Sequence, residues 1–355
     1  MVPLPFKEAQ MKLEDLTKFD PTIKTIAVLQ NDYSIDSLSD TFELKEKCIV
    51  FVKNKNFLQE VLDKRPENKK LIFILEQKFF DGIKEEQLSE LKKFAAAIAT
   101  SQDVNASMSY LSRFFFEKKF GNPNDLVDGR QMGTASVHPT AFIAQGVFIG
   151  ENVKVGPMVK IHPGVVLMSG VEIEESSEIF SNTTIYRNAK IGKNVRIHAG
   201  CTIGADGFGY NFVQGKHQKV WHIGGVVIHD HVEIGANSCV DSGTFSPTII
   251  GEGTKIDNLC QIGHNAHVGK HVVLCAGVAL AGSCTLEDYV VMGGMSAVSN
   301  GITVKMAAQV AAMSGVTSDV QPKQVVGGFP ARDIKEWMRG NATLRKLSLT
   351  KSKES

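Results

Sequence analysis

The chain has no long apolar run. Nowhere in its 355 residues is there anything near the roughly 18 consecutive apolar residues that a membrane-crossing helix needs, so no transmembrane segment is expected. Its opening residues, MVPLPFKEAQMKLEDL, lack the apolar core of a secretory leader. CxxC pairs are missing as well. The six cysteines, Cys48, Cys201, Cys239, Cys260, Cys275 and Cys284, follow neither a zinc pattern nor the framework of a small disulfide-bonded domain. They read as reduced thiols in a cytoplasmic protein. Nor does one sign of charge dominate: 39 basic side chains face 38 acidic ones, which argues against a surface given over to nucleic acid. The length allows two domains, and the 43% of hydrophobic residues suffices for a sizeable core.

What the chain does have is a repeat. Stepping by six from Val137 meets Ile143, Ile149, Val155, Ile161, Leu167, Ile173, Ile179, Ile185, Ile191, Ile197 and Ile203. The frame resumes at Ile228, Ile234 and Val240, slips by four around Thr244–Pro247, and runs again from Ile250 through Ile256, Ile262, Val268, Leu274 and Leu280 to Val316. Four residues after many of these stops sits a small or β-branched side chain, such as Val153, Val171, Cys201, Thr254, Cys260, Ala266 or Cys284. An α-helix cannot keep a six-residue frame in phase. Short strands joined by tight corners can. Three six-residue faces make one coil, and stacked coils pair about 4.8 Å apart with the aliphatic stops as internal ladders. Residues 137–320 are therefore expected to form a parallel β-helix. The interruption GADGFGYNFVQGKHQKVWHIGG is too long for a corner, so residues 204–227 are expected to project as a loop that lines a groove.

The flanks differ. Residues 1–120 carry no six-residue frame and mix expected strands (25–29, 48–52, 71–75) with expected helices (83–99, 106–119), which suggests a small α/β domain. Residues 121–136, rich in Gly, Asn, Asp and Pro, read as a linker. Residues 321–355 read as a turn, a helix over about 333–347 and a basic tail, either a solvated face or a docking patch for an acidic partner.

One stretch carries a resemblance. IGADGFGY, GGVVIHDHVEIGANSCVD, KIDNLCQIGHNAHVG and the later AGS are similar to the N-acyltransferases of lipid A biosynthesis, strongly over about residues 137–345 and more weakly over the N-terminal domain. The resemblance implies a left-handed parallel β-helix assembled as a homotrimer. It implies transfer of a 3-hydroxyacyl chain from acyl carrier protein to the 2-amino group of UDP-3-O-acyl-glucosamine. No cofactor is implied beyond the phosphopantetheine arm of the carrier protein, and no metal. His264 matches the general base. Histidine suits that task because it titrates near neutrality. Gly282, 18 residues later, falls one coil away and matches the glycine whose N–H meets the developing oxyanion. Asp257 belongs to the same motif as an assisting or orienting group. In IVFVKNKNF, Phe51 matches a residue that stacks on uracil and Asn54 one that bonds its edge, with a strand-core role as the alternative for Phe51.

Two positions depart from the family pattern. Gly301 stands where a second histidine is usual, and Ser242 where an arginine is usual. Other readings are a hexapeptide transferase for another nucleotide sugar or acyl donor, an inactive sugar-binding paralogue, and a zinc hydratase. The last would draw on His198, His229, His231, His264, His267 and His271, and needs three of them to converge. His267 and His271 otherwise read as surface positions, and His217 and His222 as loop residues facing the groove.

Overall fold

A computed structural model describes residues 11–30, 33–64, 70–120, 133–329 and 331–350. Within it the six-residue frame becomes three parallel sheets. Two have nine strands, from Phe148–Ile149 to Gly315–Val316 and from Ser136–Val137 to Thr303–Val304. The third has ten, from Phe142–Ile143 to Val325–Val326. Most strands are two residues long, and the second residue points inward: Ile161, Leu167, Ile179, Ile185, Ile197 and Ile262 are fully buried. Successive coils pair 18 residues apart, as in Ile161↔Ile179 and Ile262↔Leu280, so like positions form vertical ladders. The small residue four positions on fills each corner from inside, as Val153, Ala266 and Cys284 do.

The corners explain the polar half of the repeat. Many require the left-handed backbone region, where a Cβ is strained. Asn152, Asn182, Asn188, Asn194, Asn237 and Asn265 hold φ between 53° and 60°. Asparagine tolerates this region better than most residues.

Two register changes mark where the coil is interrupted. The offset rises to 37 at Ile191↔Ile228, and is 22 at Ile228↔Ile250, where the frame slips near Thr244–Pro247. The first holds the expected loop, but that loop does not simply project. Thr202–Asp206 stays paired with Cys239–Ser242, and Tyr210–Val213 folds back on Lys216–Lys219 as an antiparallel hairpin. Val320 bridges to Val304 at the coil's expected end, and the coil runs past that end, because Val325–Val326 pairs with Gln309–Val310. A frame broken after Val316 hid this last rung.

The N-terminal domain is a five-stranded sheet in the order Lys24–Val28, Ala95–Ser101, Leu71–Glu76, Cys48–Val52, Ser37–Ser39, parallel except for its first strand. The expected helix over 83–99 is corrected: it spans Glu85–Phe94 and gives way to the buried strand Ala95–Ser101. AAAIATS is apolar on both faces, so periodicity cannot separate a central strand from a buried helix. Alternation along Cys48–Val52 divides the domain's core. Val50 and Val52 face Leu58, Val61 and Leu91 of two helices. Ile49 and Phe51 face Leu111, Phe114 and Phe115 of the helix Val104–Phe120, together with Val220, Ile223 and Phe245 of the coil region.

Hydrogen bonds reinforce that junction. Asn211 Nδ2 donates to Asn105 O (2.8 Å) and Ser109 Oγ (2.9 Å), Trp221 N donates to Ser112 Oγ (3.1 Å), and Lys119 Nζ donates to Ile223 O. Most of the expected linker, residues 121–132, and the end of the basic tail, 351–355, lie outside the described residues. The C-terminal helix Ile334–Thr350 is exposed throughout its described side chains, Trp337 and Met338 included.

Truncating a ladder residue should show where stability resides. Ile262→Ala removes a fully buried side chain stacked between Val240 and Leu280, and is expected to cost about 2–5 kcal/mol in chemical denaturation. Lys190→Ala, at an exposed rung position, should stay within about 0.5 kcal/mol.

Candidate functional site

The strand Gln261–Ile262 ends in a corner, Gly263-His264-Asn265, with Asn265 in the left-handed region at φ 58°. The corner places the Asn265 side chain back under the His264 ring. Asn265 Oδ1 accepts from Thr244 N (3.0 Å) and Thr244 Oγ1 (2.7 Å), and lies 3.1 Å from His264 Nδ1. A carbonyl oxygen only accepts, so the Nδ1 proton belongs in this contact and Nε2 carries the free lone pair. Asn265 N donates to Thr248 Oγ1 at 2.9 Å, which pins the corner from the neighbouring face.

One coil further, Gly282 stands against that free nitrogen. A Cβ at position 282 would fall 2.6 Å from both Nε2 and Cε1 of His264, so only glycine leaves room for the ring. Ser283 N donates to His264 O at 2.8 Å, fixing the stagger of the two corners. Among the described residues the Gly282 N–H donates to no backbone carbonyl. Asn300, the next residue in the same vertical row, donates Nδ2 to Gly282 O, and Gly301 N donates to the same oxygen at 3.2 Å. His264 and Gly282 are thus adjacent, each held by its own corner.

The interrupting loop closes over His264. A Cβ at Gly207 would fall 2.5 Å from His264 Cβ, so backbone rests on the ring. Three residues past the hairpin's second strand comes His222, with its ring edge-on to His264 at a centroid distance of 5.2 Å and 72°. Burial pushes the His222 imidazole down to about 4, and the nearby charge of His264 adds to the effect. Asp241 is half-buried on the same side. Desolvation pushes its carboxyl up, against the Gln261 amide that donates to it at 3.0 Å.

Other expected residues lie elsewhere. Asp257 is exposed at the corner of a different face, and its carboxylate accepts from Asn258 N (2.7 Å) and Asn258 Nδ2 (2.9 Å). Orienting His264 falls to Asn265 within this chain. Phe51 is 6% exposed, packed in the junction core 6.4 Å from the Phe245 ring, so it lacks an open stacking face. Asn54 Oδ1 accepts from Asn56 N (2.9 Å) and Phe57 N (3.4 Å) at the start of the helix Lys55–Lys64, which commits its oxygen to capping. Ser242 is buried, accepting from Gly225 N at 3.0 Å at the base of the loop. Gly301 faces open space at φ 70°. His267 is not a bare surface residue, since Phe42 of the N-terminal domain covers it at 3.8 Å between centroids. His267 also lines an open cleft of about 620 Å³ with His229, Lys270 and Asp288, which does not include His264. Among the described residues no three of His, Cys, Asp or Glu converge, and all six cysteines are free.

Sequence reasoning missed Asn265, Asn300 and Gly207 as parts of the site. Asn265 and Gly207 sit inside the motifs already singled out, and Asn300 follows from the 18-residue stacking. The position of His222 had no such signal, because the loop is off the frame.

A coil of hexapeptide repeats, here with a histidine facing a glycine backbone, defines a hexapeptide β-helix protein. Consistent with this, the bacterial transferase hexapeptide pattern (six repeats) matches residues 247–282, and the GMPPB C-terminal domain pattern matches residues 131–208. More specifically, the chain is homologous over part of its length to UDP-3-O-acylglucosamine N-acyltransferases. It is 49% identical over 152 residues to that of Methylobacterium sp. (strain 4-46), covering 43% of each chain. It is 47% identical over 150 residues to that of Wolinella succinogenes, covering 42% of this chain and 47% of the other. The chain thus matches less than half the length of these relatives. Among solved structures, the Francisella novicida UDP-N-acetylglucosamine acyltransferase matches with 28% identity and a TM-score of 0.38, over 59% of this chain and 72% of that one.

The depressed His222 predicts a pH dependence. Folded, it stays neutral down to about 4; unfolded, it titrates near 6.5. Between these values the unfolded chain binds the extra proton. Stability should therefore fall as pH drops through that window, by about 3 kcal/mol for this group, and level off below. Denaturation midpoints of the wild type should decline more steeply from pH 6.5 to 4 than those of His222→Gln. Equal slopes would mean that the imidazole is not desolvated.

Proposed function

We propose that the protein is an N-acyltransferase that moves a 3-hydroxyacyl chain from acyl carrier protein to the 2-amino group of UDP-3-O-acyl-glucosamine. The observation that carries this reading is the free Nε2 of His264 set against the backbone of Gly282, in a stretch nearly half identical to enzymes of that name. The amine lone pair attacks the thioester carbonyl, and Nε2 takes the proton that the amine sheds. The Gly282 N–H stabilises the oxyanion of the tetrahedral intermediate. Collapse re-forms the carbonyl and expels the phosphopantetheine thiolate. The steps need a base and an oxyanion donor, both supplied by the chain, and no cofactor beyond the carrier's own arm. A homotrimer suits the reading. One chain leaves Leu259, Met295 and Met313 exposed at one edge of the coil and Trp337 on the terminal helix.

A second reading, transfer to another nucleotide sugar, is favoured by one observation. Stacking uracil on Phe51 requires displacing Phe245.

Purified protein incubated with UDP-3-O-acyl-glucosamine and a panel of 3-hydroxyacyl carrier proteins should form the amide, read by mass spectrometry. His264→Ala should lower the rate by roughly 10²–10⁴ while leaving the melting temperature close to wild type. Amide formation only on a different nucleotide sugar would establish the second reading. No amide on any acceptor would overturn both.

A further inference from the structure

His222 has no task in the reaction as drawn. It is 1% exposed, and among the described residues neither Nδ1 nor Nε2 makes a well-formed hydrogen bond, the backbone of Val220 being a polar neighbour. Burying a polar group unpaired is costly, and an apolar side chain of the same shape would avoid the cost. The ring is also firmly held. A Cβ at Gly209 would fall 2.6 Å from its Cε1, Trp221 N is tied to Ser112 Oγ, and Ile223 N donates to Thr244 O at 2.7 Å. The residues on either side are therefore anchored, one to the N-terminal domain and one to the coil. This fixes the unpaired imidazole edge-on to His264.

The chemistry of its missing partner is constrained. Burial keeps the ring neutral, with one nitrogen donating and the other accepting. A phosphate or carboxylate only accepts, so it would leave the second ring nitrogen unpaired. A hydroxyl group fits, since it is neutral and both donates and accepts. The place is set by the base: whatever meets His222 lies within one ring's breadth of the reacting atoms.

We propose that His222 is a specificity-determining residue that hydrogen-bonds a neutral hydroxyl of the substrates as they meet at His264. The proposal rests on the acyl transfer described above, in which two hydroxyls come near the reacting carbonyl. One is the 3-hydroxyl of the acyl chain, two carbons from the thioester carbon. The other is a free ring hydroxyl of the acceptor sugar.

The test compares wild type, His222→Phe, which keeps a ring but has no nitrogen, and His222→Gln, which restores one donor and one acceptor. Each is assayed for kcat/KM with 3-hydroxyacyl and 3-deoxyacyl carrier proteins of equal chain length, and for the KM of the sugar. Calorimetry with the two acyl-phosphopantetheine thioesters and with the UDP-sugar gives a readout that needs no turnover. If the acyl hydroxyl is the partner, wild type prefers the hydroxylated donor by roughly ten- to hundredfold, His222→Phe erases the preference and His222→Gln restores part of it. If the sugar hydroxyl is the partner, the donors are equal in wild type, and His222→Phe weakens sugar binding by a similar factor.

The proposal is overturned if wild type does not discriminate between the donors and a folded His222→Phe leaves sugar affinity unchanged. It is also overturned if His222→Phe retains the donor preference. Should wild type form no amide yet still bind the hydroxylated thioester in preference, through His222, the acyl-transfer reading falls while the role of His222 stands.

Discussion

Everything in the molecule depends on the hydrogen bonds between successive coils. Gly263 N to Leu280 O and Ser283 N to His264 O, each 2.8 Å, are two of a continuous series. They hold one coil over the next at a spacing that the backbone alone determines. Side chains 18 residues apart are thereby brought into contact without specific attraction between them. His264, Gly282 and Asn300 form one such row. His264 gains a neighbouring backbone, and that backbone gains a side-chain partner on its carbonyl, because they occupy equivalent corners.

The coil alone would leave the histidine open on one side. The loop that interrupts the frame supplies the cover and also the attachment of the N-terminal domain. Its hairpin and return strand bond to the helix Val104–Phe120, and Val220 and Ile223 complete the apolar cluster around Phe51. The backbone over His264 and the core of the neighbouring domain are therefore one packed unit. Phe42 on His267 and Ser246 Oγ on Asp40 Oδ1, at 2.8 Å, add contacts on the adjoining face.

How legible this was depended on the range of the interactions involved. The coil could be read because each rung imposes the same local demand, an inward aliphatic and a tolerant corner, and the demand recurs. The contact of His264 with Gly282 could be read because it follows from the same arithmetic. Phe51 could not be placed by pattern: a strand residue facing a helix and one facing a ligand look alike until the other face is known. Asp257 shares a motif with His264 but belongs to a different corner, and proximity along the chain is not proximity across a triangular coil. The strand Ala95–Ser101 was hidden for the converse reason, since burial on both faces removes the alternation that marks a strand. His222 depends on how a non-repeating loop folds back, which no period encodes.

The two register offsets bear on how such a chain can change over evolutionary time. A coil has a phase of its own, much as a coding sequence does. One residue gained or lost between Ile262 and Leu280 would set every later corner opposite the wrong neighbour, so that His264 would face a residue other than Gly282. The 37- and 22-residue offsets show how this chain carries extra length without that penalty: the surplus is expelled at corners, and the ladder resumes in phase behind it. Extra surface is therefore accommodated where the chain turns, and the loop over His264 is one such place. In this architecture, insertions are the natural source of novelty, and the rungs conserve what the insertions adorn.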